Sequence, residues 1–557
     1  MENLSNGRFS IFGAFKQHQK PFLMRRIFFA CLIFLSITSC RQKAPKTEIV
    51  QRDTTITVDN SFSELFFDSL AAEKFIDSTD LHDSTAIHLR NFYNSRNYQY
   101  AWFLKEGVAD YAATFLGMQN NYIGYSGDSS LYNESLQKRI DSLQHVKLIN
   151  PADSFVLKTE LLLTKQFLQY TYKAYAGNRH VNTQDLDWYI PRKKIDAVGF
   201  LDSLLKNKGQ RLSQYEPVNR QYNLLKTYLL KYYEIEKSGS WTTLTIDKKS
   251  LRQGDSSATI AAIKQRLYTL GDLEKNDSSK TFTKTMTEAV KKYQRRYGLT
   301  EDGIIGTSLL HEINRPVGER IRQILINMER MRWVPAEPTT DYFLVNIPEF
   351  RLHVYEKGKL AWSMKVVVGS TAHNTVIFNG DMKYVVFSPY WNVPPSIIKN
   401  EIMPGIEQHK NYLADHNMEW NNGNVRQKPG PRNSLGLVKF LFPNSYNIYL
   451  HDTPSKSLFN ENARAFSHGC IRLAEPKKLA QYVLRNDTAW TAEKITAAMN
   501  SGKEKYVTLT KTIPVFIGYF TAFVNSKGEL NFRDDVYGHD EKMAKHLFAD
   551  KSLVAIK

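Results

Sequence analysis

Apolar positions change their spacing along this chain, and each change predicts a different kind of element. From about Ser61 to Glu236 the spacing is helical. Leu161, Leu162, Leu163, Phe167, Leu168, Tyr170 and Tyr172 fill one stretch, and Leu224, Leu225, Tyr228, Leu229, Leu230, Tyr232 and Tyr233 another. Both predict helices with aromatic-rich core faces. Val181 to Ile190, with Trp188 among polar residues, reads as a connector. Between 250 and 314 the pattern shortens to three helices. Ile260, Ile263, Leu267 and Leu270 recur at steps of three, four and three, with Gly271 as a stop. Met286, Val290, Tyr293 and Tyr297 follow at four, three and four, closed by Gly298. Thr307 is positioned to N-cap a third helix carrying Leu309, Leu310 and Ile313.

From about Asp341 the period becomes two. Phe343, Val345 and Ile347 alternate with other residues, as do Leu352 and Val354. Lys357-Gly358 reads as a hairpin tip before Leu360 to Val368. Val385 to Tyr390 and Tyr446 to Leu450 read as further strands. Trp391 to Pro431 is polar and rich in Gly, Pro and Asn. It reads as a long loop, and loops of that length in compact domains are usually functional. Pro476 to Leu484 and Thr491 to Met499 read as helices, and Ile513 to Phe523 and Leu530 to Phe532 as strands. The fold class is multidomain α+β. A polar tether (41–60) leads to a helical domain (61–245) and a three-helix module (250–314). A connecting helix (315–340) then leads to a β-rich domain (341–540).

Length agrees with that division, since 557 residues exceed one core. A hydrophobic content of 42% and an aromatic content of 12% predict ordered domains. The net charge of +18 fits nucleic acid, an anionic membrane or an acidic polymer. No dense Lys/Arg block carries aromatic platforms, which argues against nucleic acid. Ile27 to Thr38 is a twelve-residue, mostly apolar run behind Arg25-Arg26. It is too short to span a membrane comfortably and suits the apolar core of a signal peptide, with Met24 as the true start. No other stretch reaches about 18 apolar residues.

The candidate chemistry centres on one thiol. Of three cysteines, Cys31 and Cys40 belong to the N-terminal signal, which leaves Cys470. A leftover cysteine in an exported protein is a reactive-thiol candidate, though a small buried hydrophobe is the plainer reading. It sits in Ser467-His468-Gly469-Cys470-Ile471-Arg472, nineteen residues after His451. Zinc is a poor fit, because His468 and Cys470 are separated by a single glycine and no second cysteine completes a tetrahedron. No metal or cofactor is therefore expected. A sulfur attack on an amide carbonyl needs a thiolate, a base, a group orienting the base, and oxyanion donors. Gly469 would let the N–H groups of Gly469 and Cys470 converge on that oxyanion. Ser467 would brace the loop. His468 is a second catalytic group or a structural hydrogen bonder. Arg472 suits a substrate carboxylate or a salt bridge within the domain. Tyr449 would line the groove or simply pack. Asp452 reads as a turn-holding group.

Ile448-Tyr449-Leu450-His451-Asp452-Thr453-Pro454, a fifteen-residue interval from Asp452 to Phe466, and then Ser-His-Gly-Cys resemble the L,D-transpeptidase (YkuD-type) family. Asn327 to Trp333, Trp391-Asn392-Val393-Pro394-Pro395 and Leu435 to Phe440 resemble its large multi-domain branch. Phe92-Tyr93 and Tyr100-Ala101-Trp102 resemble that branch's scaffold domain. Leu251 to Asp255 and Asp302 to Gly306 resemble a peptidoglycan-binding type 1 module. That module would bind the wall or be a structural insertion. Ile37-Thr38-Ser39-Cys40 resembles a lipoprotein box, with Cys40 lipidated. The resemblance implies Cys470 as nucleophile and His451 as base, its second nitrogen held by a backbone carbonyl. It makes residues 391–431 a lid. It implies 3→3 cross-linking of tetrapeptide stems through a thioester, with release of D-alanine and no cofactor. The partners would be peptidoglycan stems, the sacculus and a membrane held by the lipid, in the periplasm. Many members carry asparagine where this chain has Arg472. Water as acceptor would instead give an L,D-carboxypeptidase or another wall-peptide hydrolase. Papain-like peptidases place the cysteine before the histidine, unlike this chain. A non-catalytic wall-binding lipoprotein is the other alternative.

Overall fold

The computed structural model describes residues 48–548, apart from Asp80 and His82. The apolar run, Cys31 and Cys40 lie outside the described residues. From Glu48 on, the expected tether is fastened down. Val50 N–H donates to Asn91 Oδ1, and Asn91 Nδ2 donates to the Glu48 carbonyl. Asn94 and Asn97 donate to the carbonyls of Val50 and Ile56. Amide side chains satisfy a backbone that has no ladder of its own.

The N-terminal part is helical. Ser154–Tyr175 is started by Asp153, whose side chain accepts from Phe155 N–H. Leu161, Leu163, Phe167, Leu168 and Tyr170 are buried, while Leu162 and Tyr172 pack at the rim. On Arg220–Lys237, Leu225, Leu229 and Tyr232 face inward, but Leu230 falls off the stripe and is exposed. Glu160 lies inside this core and accepts from Tyr93 Oη and from Ala101 and Trp102 N–H.

The three-helix pattern forms Ala258–Leu270, Lys284–Arg296 and Thr307–Ile313. Gly271 takes the left-handed conformation that ends the first (φ 84°). Thr307 does not cap the third. It is that helix's first residue, and the extended Gly306 before it supplies the N-cap geometry without a side chain. Arg296 ties the module to its surroundings, donating to Leu530 O (2.7 Å) and to buried Asp272 (2.6 Å). Val317–Trp333 then runs as a spine with most of its residues buried.

The largest sheet of the β-rich part has nine strands. Its strands are β1 (Tyr342–Asn346), β2 (Arg351–Glu356), β3 (Lys359–Gly369), β4 (Asn379–Phe387) and β5 (Val438–Leu441). They continue with β6 (Leu450–His451), β7 (Ala465–Ser467), β8 (Ile471–Leu473) and β9 (Lys505–Gly518). The order is β7-β3-β8-β6-β5-β4-β9-β1-β2, and β2 also pairs with β3, so the sheet closes on itself. The turn at Lys357-Gly358 joins β2 to β3. The strand expected over Tyr446 to Leu450 is only Leu450–His451, because Tyr446 and Ile448 N–H bond Asn444 Oδ1 in a turn instead of a neighbouring strand.

Residues 391–431 are not a structureless loop. Trp391–Asn392, Asn424–Gln427 and Met418–Asn421 form a three-stranded sheet, with short helices between Pro395 and Asp415. Val393, Ile397, Ile402, Met418 and Val425 make a small apolar core separate from the main one. The main core is continuous from Leu65 through the module and spine to Met543.

Candidate active site

The site is built on two neighbouring strands of the sheet, β6 and β8. β6 and β8 run parallel, pairing Leu450 with Ile471 and His451 with Arg472. Paired residues share a face, and side chains alternate along a strand. Ile471 N–H bonds the Tyr449 carbonyl, which extends the pairing one step. Tyr449, His451, Cys470 and Arg472 therefore face the same side. The Tyr449 and His451 rings lie 5.7 Å apart.

Each group has a defined electrostatic setting. His451 Nδ1 lies 2.5 Å from the Asp452 carbonyl. A carbonyl only accepts, so Nδ1 carries the proton and Nε2 keeps its lone pair. Burial, then the Arg472 guanidinium, pushes His451 down to about 3, and Lys439 adds to this. Lys439 pairs with His451 across β5 and β6. The Cys470 thiol is half-buried and points at the Asn447 carbonyl (3.6 Å). Burial raises it above its ordinary value, while Tyr449 and Arg472 pull it back. Burial and the neighbouring Cys470 raise Tyr449 well above the usual phenol range. Arg472 makes no salt bridge among the described residues, and its Nε is buried without a partner. The salt bridge considered for it within the domain is absent.

The loop around the thiol is closed by its own hydroxyl. Ser467 Oγ donates to Cys470 O (2.5 Å) and accepts from Gly469 N–H (3.2 Å). This changes the expected oxyanion site. Gly469 N–H is already engaged, and Cys470 N–H is the one without a partner among the described residues. Gly469 itself needs its glycine, with φ at 106°. His468 is half-exposed. Its Nε2 lies 3.3 Å from Glu401 Oε1 in the segment 391–431, and its ring stacks on His373 at 4.9 Å. Asp452 Oδ2 accepts from Leu437 N–H and Oδ1 from Lys456, so it holds two loops together.

Residues 340–504 match the model of the L,D-transpeptidase catalytic domain, YkuD. The chain carries a YkuD-type L,D-transpeptidase catalytic domain. Residues 88–229 match a scaffold-domain model, and residues 256–312 match the peptidoglycan-binding model PG_binding_1. A Haemophilus influenzae protein, named provisionally as an L,D-transpeptidase, is 31% identical over 243 residues. That match covers 40% of this chain and 49% of the relative, so this chain spans about half the length of the curated relative it matches. A solved L,D-transpeptidase from Stackebrandtia nassauensis has 15% identity, covering 49% of this chain and 98% of that one, with a TM-score of 0.23. One from Xylanimonas cellulosilytica has 13% identity, covering 49% and 100%, with a TM-score of 0.17. Scores this low add nothing to the family match.

Two supports of this catalytic domain escaped the sequence reading. Thr375 Oγ1 donates to Gly469 O (2.7 Å) and accepts from Gly369 N–H. Tyr537 Oη donates to Gly369 O (2.7 Å) and accepts from Thr375 N–H. Neither lies near the motif in sequence, and no local signal marks them. Lys439 was within reach, since it sits between Val438 and Phe440 on an alternating strand. No group of three or more His, Cys, Asp or Glu is arranged to hold a metal among the described residues.

Proposed function

We propose that this protein is an L,D-transpeptidase that forms 3→3 cross-links between peptidoglycan stems. The reading is carried by Tyr449, His451, Cys470 and Arg472 on one face of β6 and β8, within residues that match the catalytic-domain model. His451 Nε2 takes the thiol proton as Cys470 Sγ bonds the carbonyl carbon of the third, diamino-acid residue of a tetrapeptide stem. Cys470 N–H holds the oxyanion. The bond to the terminal D-alanine breaks, and His451 returns the proton to the leaving amine. The side-chain amine of a second stem then attacks the thioester, gives a proton to His451, and releases Sγ. Arg472, without a carboxylate partner in its own domain, receives a stem carboxylate. Tyr449 lines the groove, His468 meets the lid through Glu401, and Ser467 keeps the loop closed.

The module matching PG_binding_1 holds the sacculus in this reading. Export to the periplasm and lipidation at Cys40 complete it, and both rest on residues 25–40 of the sequence. A lipid mass on the N-terminal cysteine of the mature protein tests the anchor. Incubation with a purified disaccharide-tetrapeptide, with products weighed, tests the reaction. A cross-linked dimer that has lost one D-alanine supports it. Tripeptide alone makes the protein a hydrolase, and untouched substrate overturns the enzymatic reading.

A further inference from the structure

The loop between β3 and β4 packs directly beneath the nucleophile. Ser370 N–H bonds Ser467 O, Thr375 bonds Gly469 O, and the His373 ring stacks on His468. A Cβ on Gly469 would sit 3.7 Å from Asn374 O. Where this loop rests therefore decides where Gly469 and Cys470 rest. Its far side is gripped by the helical scaffold. Ile377 N–H bonds Asp187 O (2.7 Å), and Tyr189 N–H bonds Ile377 O (2.7 Å). Asp187 Oδ2 accepts from Asn374 Nδ2 (3.0 Å). Asn374 Oδ1 is buried with no partner, so this bond alone fixes the Asn374 side chain among the described residues. Asp187 holds a left-handed backbone (φ 50°, ψ 30°) at the end of Thr183–Leu186, which turns its carboxylate toward the loop. Thr375 follows Asn374 directly and is fully buried.

We infer that Asp187, on the scaffold connector, is a positioning residue for the catalytic cysteine. It acts through Asn374 and Thr375 on the Gly469 carbonyl. The scaffold domain is then part of the active-site framework rather than a spacer. This rests on the transpeptidase reading for its substrate, but not for its geometry. A misplacement near 1 Å far from the chemistry can cost about a hundredfold in rate. Loss of one hydrogen bond two contacts away is a smaller disturbance, of about tenfold.

The test uses the full chain with Asp187→Ala, Asn374→Ala, the double variant and Asp187→Asn. Asn keeps an acceptor and tolerates the left-handed backbone, which Ala does not. Two readouts are taken, tetrapeptide turnover and the rate of Cys470 alkylation by iodoacetamide. The expected result is a fall in kcat of about tenfold for each Ala variant at unchanged KM. The double variant is no slower than either single one, and Asp187→Asn recovers most of the rate. Alkylation changes in the same variants and recovers with Asn. Ala variants with parental kcat and parental alkylation overturn the inference, and so does an Asn variant as impaired as Ala. If the wild type alkylates at Cys470 but turns over no tetrapeptide, the proposed function fails. The alkylation series then decides the positioning role by itself.

Discussion

At rest, the two central residues are held neutral. Burial raises the Cys470 thiol and lowers the His451 imidazole to about 3, with Arg472 opposing a second positive charge beside it. A thiolate–imidazolium pair at rest would need the reverse shifts. Alkylation of Cys470 in the free protein should therefore rise with pH through a midpoint above about 8.5, with no plateau between pH 5 and 7. A rate that levels off below neutrality would establish a resting ion pair instead. Cys470→Ala should abolish tetrapeptide turnover, and His451→Ala should reduce it by about 10²–10⁴-fold with the fold retained. A Cys470→Ala variant still releasing D-alanine removes the nucleophile assignment. The motif was legible because its residues are adjacent in sequence and their chemistry is unusual. The pinning of His451 by the Asp452 carbonyl likewise needs only neighbours. What sets the protonation states was less legible, because burial of His451 leads and Lys439 and Arg472 act on it across strand pairings rather than along the chain.

Among the elements, the segment 391–431 departs most from its sequence. Polar, Gly and Asn residues dominate it, and its five core residues are scattered with no single period. Periodicity finds an element only when one face stays buried for several turns or pleats. Here Ile397, Ile402, Met418 and Val425 come from strands and helices of a few residues each, and Val393 from the connection after Trp391–Asn392. The same limit shortened the strand before His451, where Asn444 captures the backbone. Long helices such as Ser154–Tyr175 were legible because they supply many turns. A separate small core predicts separate unfolding. Val425 is fully buried, and Val425→Asp places an unpaired carboxylate there at a cost of about 3 to 5 kcal/mol. Limited proteolysis should then cut within residues 391–431 while the melting temperature of the remaining fold stays within a few degrees of the parent. Loss of the whole transition would mean that this segment and the barrel fold as one unit.

Across the whole molecule, the domains inferred from changes of period share one continuous apolar core. The joints were invisible in sequence because they are single residues. Trp188, in a polar stretch, packs edge-on against Trp333 of the spine, and its neighbours pair with Ile377. Arg330 of the spine bonds Asp540 in the first turn of the helix His539–Leu547. His539 lies at this junction, 1% exposed, against the rings of Tyr519 (4.7 Å) and Tyr537 (5.8 Å). Neither ring nitrogen has a hydrogen-bond partner among the described residues, and the nearest carboxylate oxygen recorded, Asp187 Oδ2, lies 3.9 Å from Nε2. Burial, then Arg330 and Lys542, lowers it to about 3. Its folded value is below the unfolded value of about 6.5, so the unfolded chain binds this proton first as pH falls. The stabilisation is complete above pH 6.5 and is lost as pH drops toward 3, on the order of 4 kcal/mol from this residue. His451 contributes with the same sign. His539→Phe keeps an aromatic ring against the two tyrosines and removes the titration. Its melting temperature should fall less steeply than the parent's between pH 7 and pH 4. Equal slopes for the two proteins would mean that the His539 ring gains a partner on protonation and is not the source of acid sensitivity.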